Sequence, residues 1–282
     1  GDHRDLHPRV RRQASDVYKR QPGAALVLTV DSSLQKALQD ALISQIHTLQ
    51  TTKAAGAGRE CRAGAAVVVD VKTGGILAAA SVPGFDLNTC RADYAALAAD
   101  TAAPLLDRTA QGLYAPGSAF KPAVAAAALT AGIDPAATVN CTGRYGFYNG
   151  YQPGCLQYGH SGLVDLCTAL EHSCNIFFYD VGRRLGVDTF SAMAQQLGLA
   201  APTGVEVAEA RGRLTWSSDG NYQAGLTLMA AIGQGNTAVT PLQLAAYAAT
   251  LANYGQRPAL HYADRAVSAA TGETLWLSLI HI

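Results

Sequence analysis

Ser118 and Lys121 are the residues of this chain whose types and spacing could do covalent chemistry. They lie in the segment Tyr-Ala-Pro-Gly-Ser-Ala-Phe-Lys-Pro at positions 114–122. A spacing of three places both side chains on one face of a helix, one turn apart. Serine becomes a nucleophile when a neighbouring base takes its proton, and lysine can be that base when burial or other cations lower its pKa. The pair by itself is a weak signal, because solvated helices often carry Ser and Lys at this spacing.

The residues on either side of Ser118 predict that a helix begins there. Pro116 and Gly117 interrupt the preceding chain, and the run Ala123–Ala131 is rich in the strongest helix former. Gly132 then supplies a helix end. We therefore expect Ser118 at the N-terminus of a central, closely packed helix, where unpaired N–H groups and the helix dipole stabilise developing negative charge.

A second group of polar residues, Ser173-Cys174-Asn175, interrupts a helical pattern that covers 164–172 and resumes at 176–185. Ser and Asn side chains compete for backbone hydrogen bonds, so one interpretation of this segment is a helix-breaking cap. The other interpretation is a functional turn, and it depends on what lies nearby.

Periodicity, capping residues and turn residues predict the elements that must position these groups. They are a strand at Leu26–Val30, a helix from Asp31 to about Leu49, strands Ala65–Asp70 and Ile76–Ser81 joined as a hairpin, a short helix near Asp93–Ala99, a helix that Asp188 caps and Gly198 ends, an extended segment Gly204–Val207, a tight turn at Gly233-Gln234-Gly235, and a helix Leu242–Asn253 that begins with Thr240 and Pro241.

The two ends of the chain are interpreted as remnants of library preparation. The segment 16–21 can be encoded by a DNA string whose reverse complement encodes 277–282, and this inverted repeat resembles a transposon end used in sequencing adaptors. We therefore exclude 1–21 and 277–282 from the fold. A membrane anchor, if the protein has one, would then precede the segment in hand.

Composition excludes some classes of function. The whole chain has 21 basic and 21 acidic side chains, so it offers no excess positive charge for a nucleic-acid partner. Its hydrophobic fraction of 49% and its length suit one sizeable core. No stretch is apolar and long enough to span a membrane.

The two polar motifs together resemble the penicillin-binding transpeptidases, specifically the monofunctional class B, elongation-type members. Tyr114–Pro122 is similar to the first motif of that family, and Ser173-Cys174-Asn175 to its second. The Gly-Gln-Gly turn and the segment 239–244 are typical of its high-molecular-weight members. The resemblance implies an α+β fold of the serine β-lactamase/DD-peptidase type over residues 22–276, with helices against an antiparallel sheet and the Ser118 helix at the centre.

The resemblance also implies roles for four residues. Ser118 would attack the carbonyl of a D-Ala-D-Ala peptide, and Lys121 would take its proton. Ser173 would pass a proton to the leaving amine, and Asn175 would donate to the carbonyl of the bound peptide. The backbone N–H of Ser118 would form half of the oxyanion hole. No cofactor is then required for catalysis. The implied partners are peptidoglycan stem peptides, β-lactam antibiotics and membrane proteins of cell-wall elongation. The implied location of the protein is the extracytoplasmic face of the membrane, where an N-terminal helix would anchor it.

The third motif of the family, Lys-Thr/Ser-Gly, lies on an inner strand after the other two motifs. Lys72-Thr73-Gly74 has these letters but precedes Ser118, so we interpret it as a hairpin tip with a solvated lysine. We expect the true third motif beyond Trp276. The domain would then be truncated before the third-motif strand, and the segment alone would be inactive.

Cys141, Cys155, His160 and Cys174 suggest a metal site, because some elongation-type relatives carry zinc on a histidine and the middle residue of the second motif. The set would be a Cys3His structural zinc site that fixes the second motif. A disulfide between Cys141 and Cys155 and plain buried thiols stay open as alternatives. The remaining cysteines, at 61, 90 and 167, are interpreted as core or surface thiols, and the histidines at 47 and 172 as helix-face residues.

Three other functions fit the same motifs. A β-lactamase of this fold needs a base for deacylation, and Glu171, on a helix turn, is more simply a solvated residue. A sensor would be acylated without turnover, and a scaffold of the elongation complex would not be acylated at all.

Overall fold

The computed structural model describes residues 24–52, 58–156 and 159–277. The chain ends that we interpreted as adaptor remnants, at 1–21 and 277–282, lie outside these ranges except for Leu277. Contacts divide the chain into two units. Of the described residues, one unit consists of 24–29 and 262–277, and the other of those between Val30 and His261.

The first unit is a three-stranded antiparallel sheet in which the strand Ala263–Ser268 lies between the strands Ala24–Leu28 and Thr274–Leu277. Ala24 pairs with Ser268, and Arg265 pairs with both Val27 and Leu277 across its two neighbours. The second unit holds the remaining elements. The strands of both units together, in chain order, are β1 (Ala24–Leu28), β2 (Gly64–Val69), β3 (Ile76–Val82), β4 (Val139–Cys141), β5 (Gly162–Val164), β6 (Ala263–Ser268) and β7 (Thr274–Leu277).

The helices of the second unit are α1 (Ser32–Thr51), α2 (Cys90–Ala99), α3 (Lys121–Thr130), α4 (Leu166–Glu171), α5 (Asn175–Leu185), α6 (Val187–Gln196), α7 (Ala224–Ala231) and α8 (Pro241–Ala252), with a 3-10 turn at Gly117–Phe120. This mixture of helices and antiparallel strands is the α+β class that we predicted. Among the described residues, no helix has both the length and the apolar character needed to cross a membrane.

Helix α1 packs against the β2–β3 hairpin. Its predicted cap is confirmed, because the Asp31 carboxylate accepts a hydrogen bond from the Leu34 N–H at 2.9 Å. Ile46 of this helix is buried. The amide of Gln35 ties the helix to strand β3 by bonding both the N–H and the carbonyl of Ala79 at 2.8 Å.

Helix α3 lies in the middle of the second unit, as its alanines predicted. It packs against α5 and α6, and Ala123, Ala127 and Ala128 are buried in that core. Small side chains allow the neighbouring helices to approach closely. The same holds between α5 and α7, where a Cβ on Gly182 would lie 2.4 Å from the Cβ of Ala231.

The structure corrects three predictions about local elements. Val164 ends strand β5, so the predicted helix 164–172 begins only at Leu166, because Asp165 caps it by accepting from the Thr168 N–H. Asp188 lies inside the first turn of α6, and its carboxylate binds the N–H and hydroxyl of Ser217. The segment 204–207 is not extended throughout, because the chain bends at Glu206 and Val207.

Candidate active site

Ser118 lies in the 3-10 turn that leads directly into α3, so the predicted helix start is correct to within one turn. The backbone before it is fixed by the Gly233-Gln234-Gly235 turn. The Gly117 N–H donates to the Gly233 carbonyl at 2.9 Å. Position 233 has a φ of +72°, and a Cβ there would lie 2.2 Å from the Gly117 oxygen. Only glycine fits that approach, so the turn sets the position of the candidate nucleophile.

Lys121, the first residue of α3, is 1% exposed. Its Nζ donates to the Ser173 carbonyl at 2.7 Å, to the Ser173 Oγ at 2.9 Å and to the Asn175 Oδ1 at 2.7 Å. Burial lowers the pKa of this ammonium to about 8, against the opposing influence of the Cys155 and Cys174 thiols. A lysine with such a pKa is partly neutral near pH 7 and can act as a base.

Ser173 lies between the two residues of the first motif. Its Oγ donates to the Ser118 Oγ at 2.9 Å and accepts from Lys121 on its other side. Its φ of +53° is uncommon for a residue with a side chain, and such strain is often found at functional positions. The sequence predicted direct proton transfer from Ser118 to Lys121, whereas the described contacts join these two through Ser173.

Asn175 begins α5, and both ends of its amide are engaged. Its Oδ1 accepts from Lys121, and its Nδ2 donates to the Gly154 carbonyl at 3.3 Å. Its backbone N–H donates to the Cys155 Sγ at 3.4 Å. The four predicted catalytic residues therefore form one continuous hydrogen-bonded group, in which Ser118 is the exposed end.

The four predicted metal ligands also come together. The ligand atoms of Cys141, Cys155, His160 and Cys174 all lie within 4.8 Å of one another. The His160 Nε2 is 3.4 Å from the Cys141 Sγ and 3.6 Å from the Cys155 Sγ. No disulfide joins any two of the six cysteines, all of which lie in the described ranges.

The histidine and glutamate just before the second motif lie beside this cluster. The His172 ring stacks on the His160 ring with a centroid separation of 5.7 Å. The Glu171 carboxylate is exposed and lies 3.9 Å from the His172 Nε2.

The aromatic loop at 145–151 fastens this region to α5. It belongs to the segment 140–160, whose glycine, tyrosine and proline content predicts an ordered loop. The Arg183 Nε donates to the Tyr145 hydroxyl at 2.8 Å, and its guanidinium lies 3.8 Å from the centre of the Phe147 ring. Asp180 accepts from both Tyr145 and Arg183. The anchor on Arg183 and Asp180 is the part that the composition of the segment did not predict. Because this loop continues to Gly154, the network also positions the partner of Asn175.

Lys72-Thr73-Gly74 lies at the β2–β3 turn, as predicted. The Asp70 carboxylate accepts from the backbone N–H groups of Lys72 and Thr73 at 2.8 and 2.7 Å, and Gly74 has a φ of +81°. The Lys72 ammonium is exposed and donates to the Asn253 Oδ1 at 2.9 Å. None of its described contacts is with the four catalytic candidates.

Comparison with known proteins found relatives both in sequence and in structure. The family model described as "Penicillin binding protein transpeptidase domain" matches residues 64–276. The curated "Peptidoglycan D,D-transpeptidase MrdA" of Salmonella typhimurium is 32% identical over 276 residues, which cover 91% of this chain and 41% of that protein. The chain thus spans about two fifths of the length of that relative.

Solved structures of the same kind resemble the fold. The ceftriaxone acyl-enzyme of penicillin-binding protein A from M. tuberculosis is 27% identical, with a TM-score of 0.78 over 97% of this chain and 61% of that one. The complex between PBP2 and MreC from Helicobacter pylori contains a chain that is 25% identical, with a TM-score of 0.72 over 88% of this chain and 45% of that one. These findings confirm the resemblance that the two motifs predicted: the chain belongs to the penicillin-binding protein transpeptidase family.

Proposed function

We propose that this domain crosslinks peptidoglycan stem peptides through an acyl-enzyme on Ser118, and that β-lactams modify the same serine. The observation that carries the proposal is the hydrogen-bonded series from Ser118 through Ser173 to the buried Lys121. A buried amine joined to an exposed hydroxyl is the arrangement that activates a serine without a histidine.

The proton has a defined route in this arrangement. As an ammonium, Lys121 uses its three N–H groups on its three acceptors. As a neutral amine it has two N–H groups and a lone pair, which can accept the Ser173 proton while the Ser173 Oγ takes the proton of Ser118. The Ser118 Oγ then forms a bond to the carbonyl carbon of a D-Ala-D-Ala peptide.

In the later steps the same groups carry the proton in the opposite direction. The terminal D-alanine leaves as an amine after receiving a proton through Ser173, and the acyl group stays on Ser118 as an ester. An amine from a second stem peptide attacks that ester and gives a proton to Lys121 through Ser173. The bond between the acyl group and the Ser118 Oγ then breaks, and the Oγ takes back a proton by the same route. Asn175 has an amide that can donate to the carbonyl of the donor peptide once the Gly154 carbonyl is displaced.

Product analysis with the full-length protein tests this reaction. A pentapeptide ending in D-Ala-D-Ala and a peptide with a free amine should give a new amide and free D-alanine in equal amounts. Rapid release of hydrolysed penicillin, without any new amide, would instead favour a β-lactamase. Within the described residues, no carboxylate hydrogen-bonds to Ser118, Lys121, Ser173 or Asn175, which favours a slow hydrolysis of the acyl-enzyme.

The second half of the oxyanion hole is proposed to come from a Lys-Thr/Ser-Gly strand beyond Trp276. If so, the 282-residue chain should react with penicillin far more slowly than the full-length gene product. Equal rates in the two would overturn this part of the proposal. The comparison also tests whether the isolated chain is inactive, as we expect.

We further propose that the Cys3His cluster holds structural zinc, while catalysis needs no cofactor. Ligands at about 2.3 Å for sulfur and about 2.1 Å for nitrogen lie about 3.6 Å apart around a tetrahedral ion. The observed separations of 3.4 and 3.6 Å from the His160 nitrogen fit that geometry. Zinc here would fix Cys174, inside the second motif, and Cys155, which accepts from Asn175.

Metal analysis of the purified protein tests the zinc proposal. One zinc per chain is expected, with a loss of zinc in Cys155→Ser but not in Cys167→Ser, which changes an exposed cysteine outside the cluster. Absence of metal together with loss of the thiols at 141 and 155 would favour the disulfide instead.

Partners and location are proposed from the relatives. A solved structure contains a Helicobacter pylori PBP2 in complex with MreC. By analogy, we propose that membrane proteins of cell-wall elongation are partners of this domain, and that it lies on the extracytoplasmic face of the membrane with an N-terminal helix as its anchor. A sensor would instead have a multi-span membrane region upstream, and a scaffold would not react with penicillin. The sequence of the uncut gene and labelling of its product distinguish these cases.

A further inference from the structure

The second unit contains an open pocket of about 510 Å³ that none of the four catalytic candidates lines. Its polar lining consists of charged, amide and indole side chains, among them Gln195, Arg211, Arg213, Trp216, Asp219 and Asn236. We call it the arginine pocket. Its volume is within the range of sites that bind small organic molecules.

The local backbone brings the two arginines to the same wall. Arg213 and Ala238 exchange two hydrogen bonds, at 2.8 and 2.9 Å, as residues of an antiparallel pair do. Alternate residues of an extended chain point to one side, which places Arg211 beside Arg213. The opposite side is closed, because a Cβ on Gly212 would lie 2.4 Å from the Gln243 Oε1. Two guanidinium groups therefore extend together from one short segment.

The hydrogen-bonding capacity that the pocket leaves unused is mainly donor capacity. Within the described part of the chain, neither guanidinium pairs with a carboxylate or donates a hydrogen bond, and the Trp216 indole N–H has no described acceptor. Asp219 and Asn236 already have donors. The Asp219 Oδ2 accepts from the Trp216 backbone N–H at 3.1 Å and from the Asn236 Nδ2 at 2.9 Å, and the Asn236 Oδ1 accepts from Asn221 at 3.1 Å. The lining thus suits a ligand that accepts hydrogen bonds.

The charges of the lining indicate which acceptor fits. Two guanidinium groups against the one Asp219 carboxylate leave a single positive charge. A carboxylate balances that charge and matches the fork of a guanidinium, whereas a phosphate dianion would bring more negative charge close to Asp219. The pocket is much larger than a carboxylate group, and the Trp216 indole adds apolar surface. The carboxylate should therefore belong to a larger organic molecule.

We propose that the arginine pocket binds a peptide through its free carboxylate, at a site separate from the reaction at Ser118. In this domain the peptide would be a stem peptide other than the one that acylates Ser118. This choice of peptide rests on the proposed function, whereas the preference for a carboxylate rests on the lining of the pocket alone.

Calorimetric titration of the full-length protein with three ligands tests the inference. The first is the stem tetrapeptide L-Ala-γ-D-Glu-L-Lys-D-Ala with both amines acetylated, which offers no D-Ala-D-Ala bond to Ser118. The second is the same peptide with its carboxylates converted to amides, and it should bind at least about tenfold more weakly because charge-assisted hydrogen bonds are lost. The third is inorganic phosphate, which should bind more weakly than the tetrapeptide.

Two variants of the pocket and one control locate the bound peptide. Arg213→Gln and Arg211→Gln should each weaken binding of the tetrapeptide by about tenfold. Arg91→Gln, at an exposed position of α2 that does not line the pocket, removes the same charge and should change binding less than about twofold. The denaturant midpoints of all three should match that of the unaltered protein, since none of these guanidinium groups has a described partner to lose.

The outcomes separate the arginine pocket from the proposed function. Equal binding of the acid and the amide, tighter binding of phosphate, or arginine variants that bind as well as Arg91→Gln would overturn the pocket assignment. Tetrapeptide that is displaced when penicillin acylates Ser118, and that is insensitive to both arginine variants, would overturn it too while supporting the reaction at Ser118. Binding that depends on the arginines in a protein whose Ser118 is never acylated would support the carboxylate site and overturn the proposed function.

Discussion

Two lysines of this chain lie in segments that spell motifs of the same family, yet their surroundings differ in every respect that matters for chemistry. Lys121 is buried at the start of α3 with three acceptors around its ammonium, and its pKa is lowered to about 8. Lys72 is exposed at a hairpin turn and bonds one surface asparagine. The first can exchange protons with a hydroxyl near neutral pH, whereas the second has no candidate nucleophile among its described contacts.

This difference shows that burial and contacts, more than the letters of a motif, decide what a lysine does. The Lys-Thr-Gly letters at 72–74 are explained by the turn. Asp70 accepts from two turn N–H groups, and Gly74 adopts a positive φ. The residues at 118–121 have no such local explanation. A buried ammonium is costly unless its N–H groups have partners, and those of Lys121 are supplied by Ser173 and Asn175.

The largest effect that would sharpen this comparison is expected from Lys121→Met. It removes the proposed base and should slow acylation of Ser118 by penicillin about a thousandfold, within the range of general-base catalysis. The rate of covalent labelling is the measurement. A loss below about tenfold would mean that another group takes the proton.

The pH dependence of acylation should follow Lys121 as well. The neutral amine is the active form, so the rate should rise with pH, roughly tenfold per unit, and level off above the lysine pKa of about 8. Second-order rates measured from about pH 6 to about pH 9 with a single penicillin would show this. A rate that is constant or falls over that range contradicts a lysine base.

Loss of the loop anchor should have a moderate effect. Arg183→Met leaves the Tyr145 hydroxyl without its donor and removes the guanidinium from the Phe147 ring, and it should lower the free energy of unfolding by about 1–3 kcal/mol. Arg184→Met is the matched control, because it removes a more exposed partner of the same Asp180 carboxylate and should cost about 0.5 kcal/mol. Denaturant unfolding measures both. Equal losses would show that the aromatic contacts of Arg183 add nothing.

The smallest effect is expected at the second lysine. Lys72→Met removes one exposed hydrogen bond and should change acylation of Ser118 less than about twofold, with a change in stability within about 0.5 kcal/mol. The same labelling assay applies. A large loss of acylation would mean that the hairpin turn takes part in the reaction after all.

Local signals predicted much of this site. The proline, glycine and alanine pattern predicted where the Ser118 helix begins, and Asp31 and Thr240 marked helix starts because their side chains cap locally. The clustering of Cys141, Cys155, His160 and Cys174 was predicted from residue types and the family pattern. Each of these depends on residues that are close together in the sequence or on a recognised motif.

Other features depend on contacts between distant residues and could not be predicted from local pattern. Ser173 lies between Ser118 and Lys121 because a positive φ directs the chain there. The Arg183 network joins residues 38 positions apart. Helix α7 was not predicted, since its apolar run has no clear period and follows a loop rich in glycine and polar residues.

Covalent labelling with a fluorescent penicillin tests the central claim most directly. The full-length gene product should become labelled, and peptide mapping should place the label on Ser118. Ser118→Ala should remain unlabelled under the same conditions, although it keeps the fold. A protein that is never labelled, or a Ser118→Ala variant that is labelled as fast as the unaltered protein, would contradict the account.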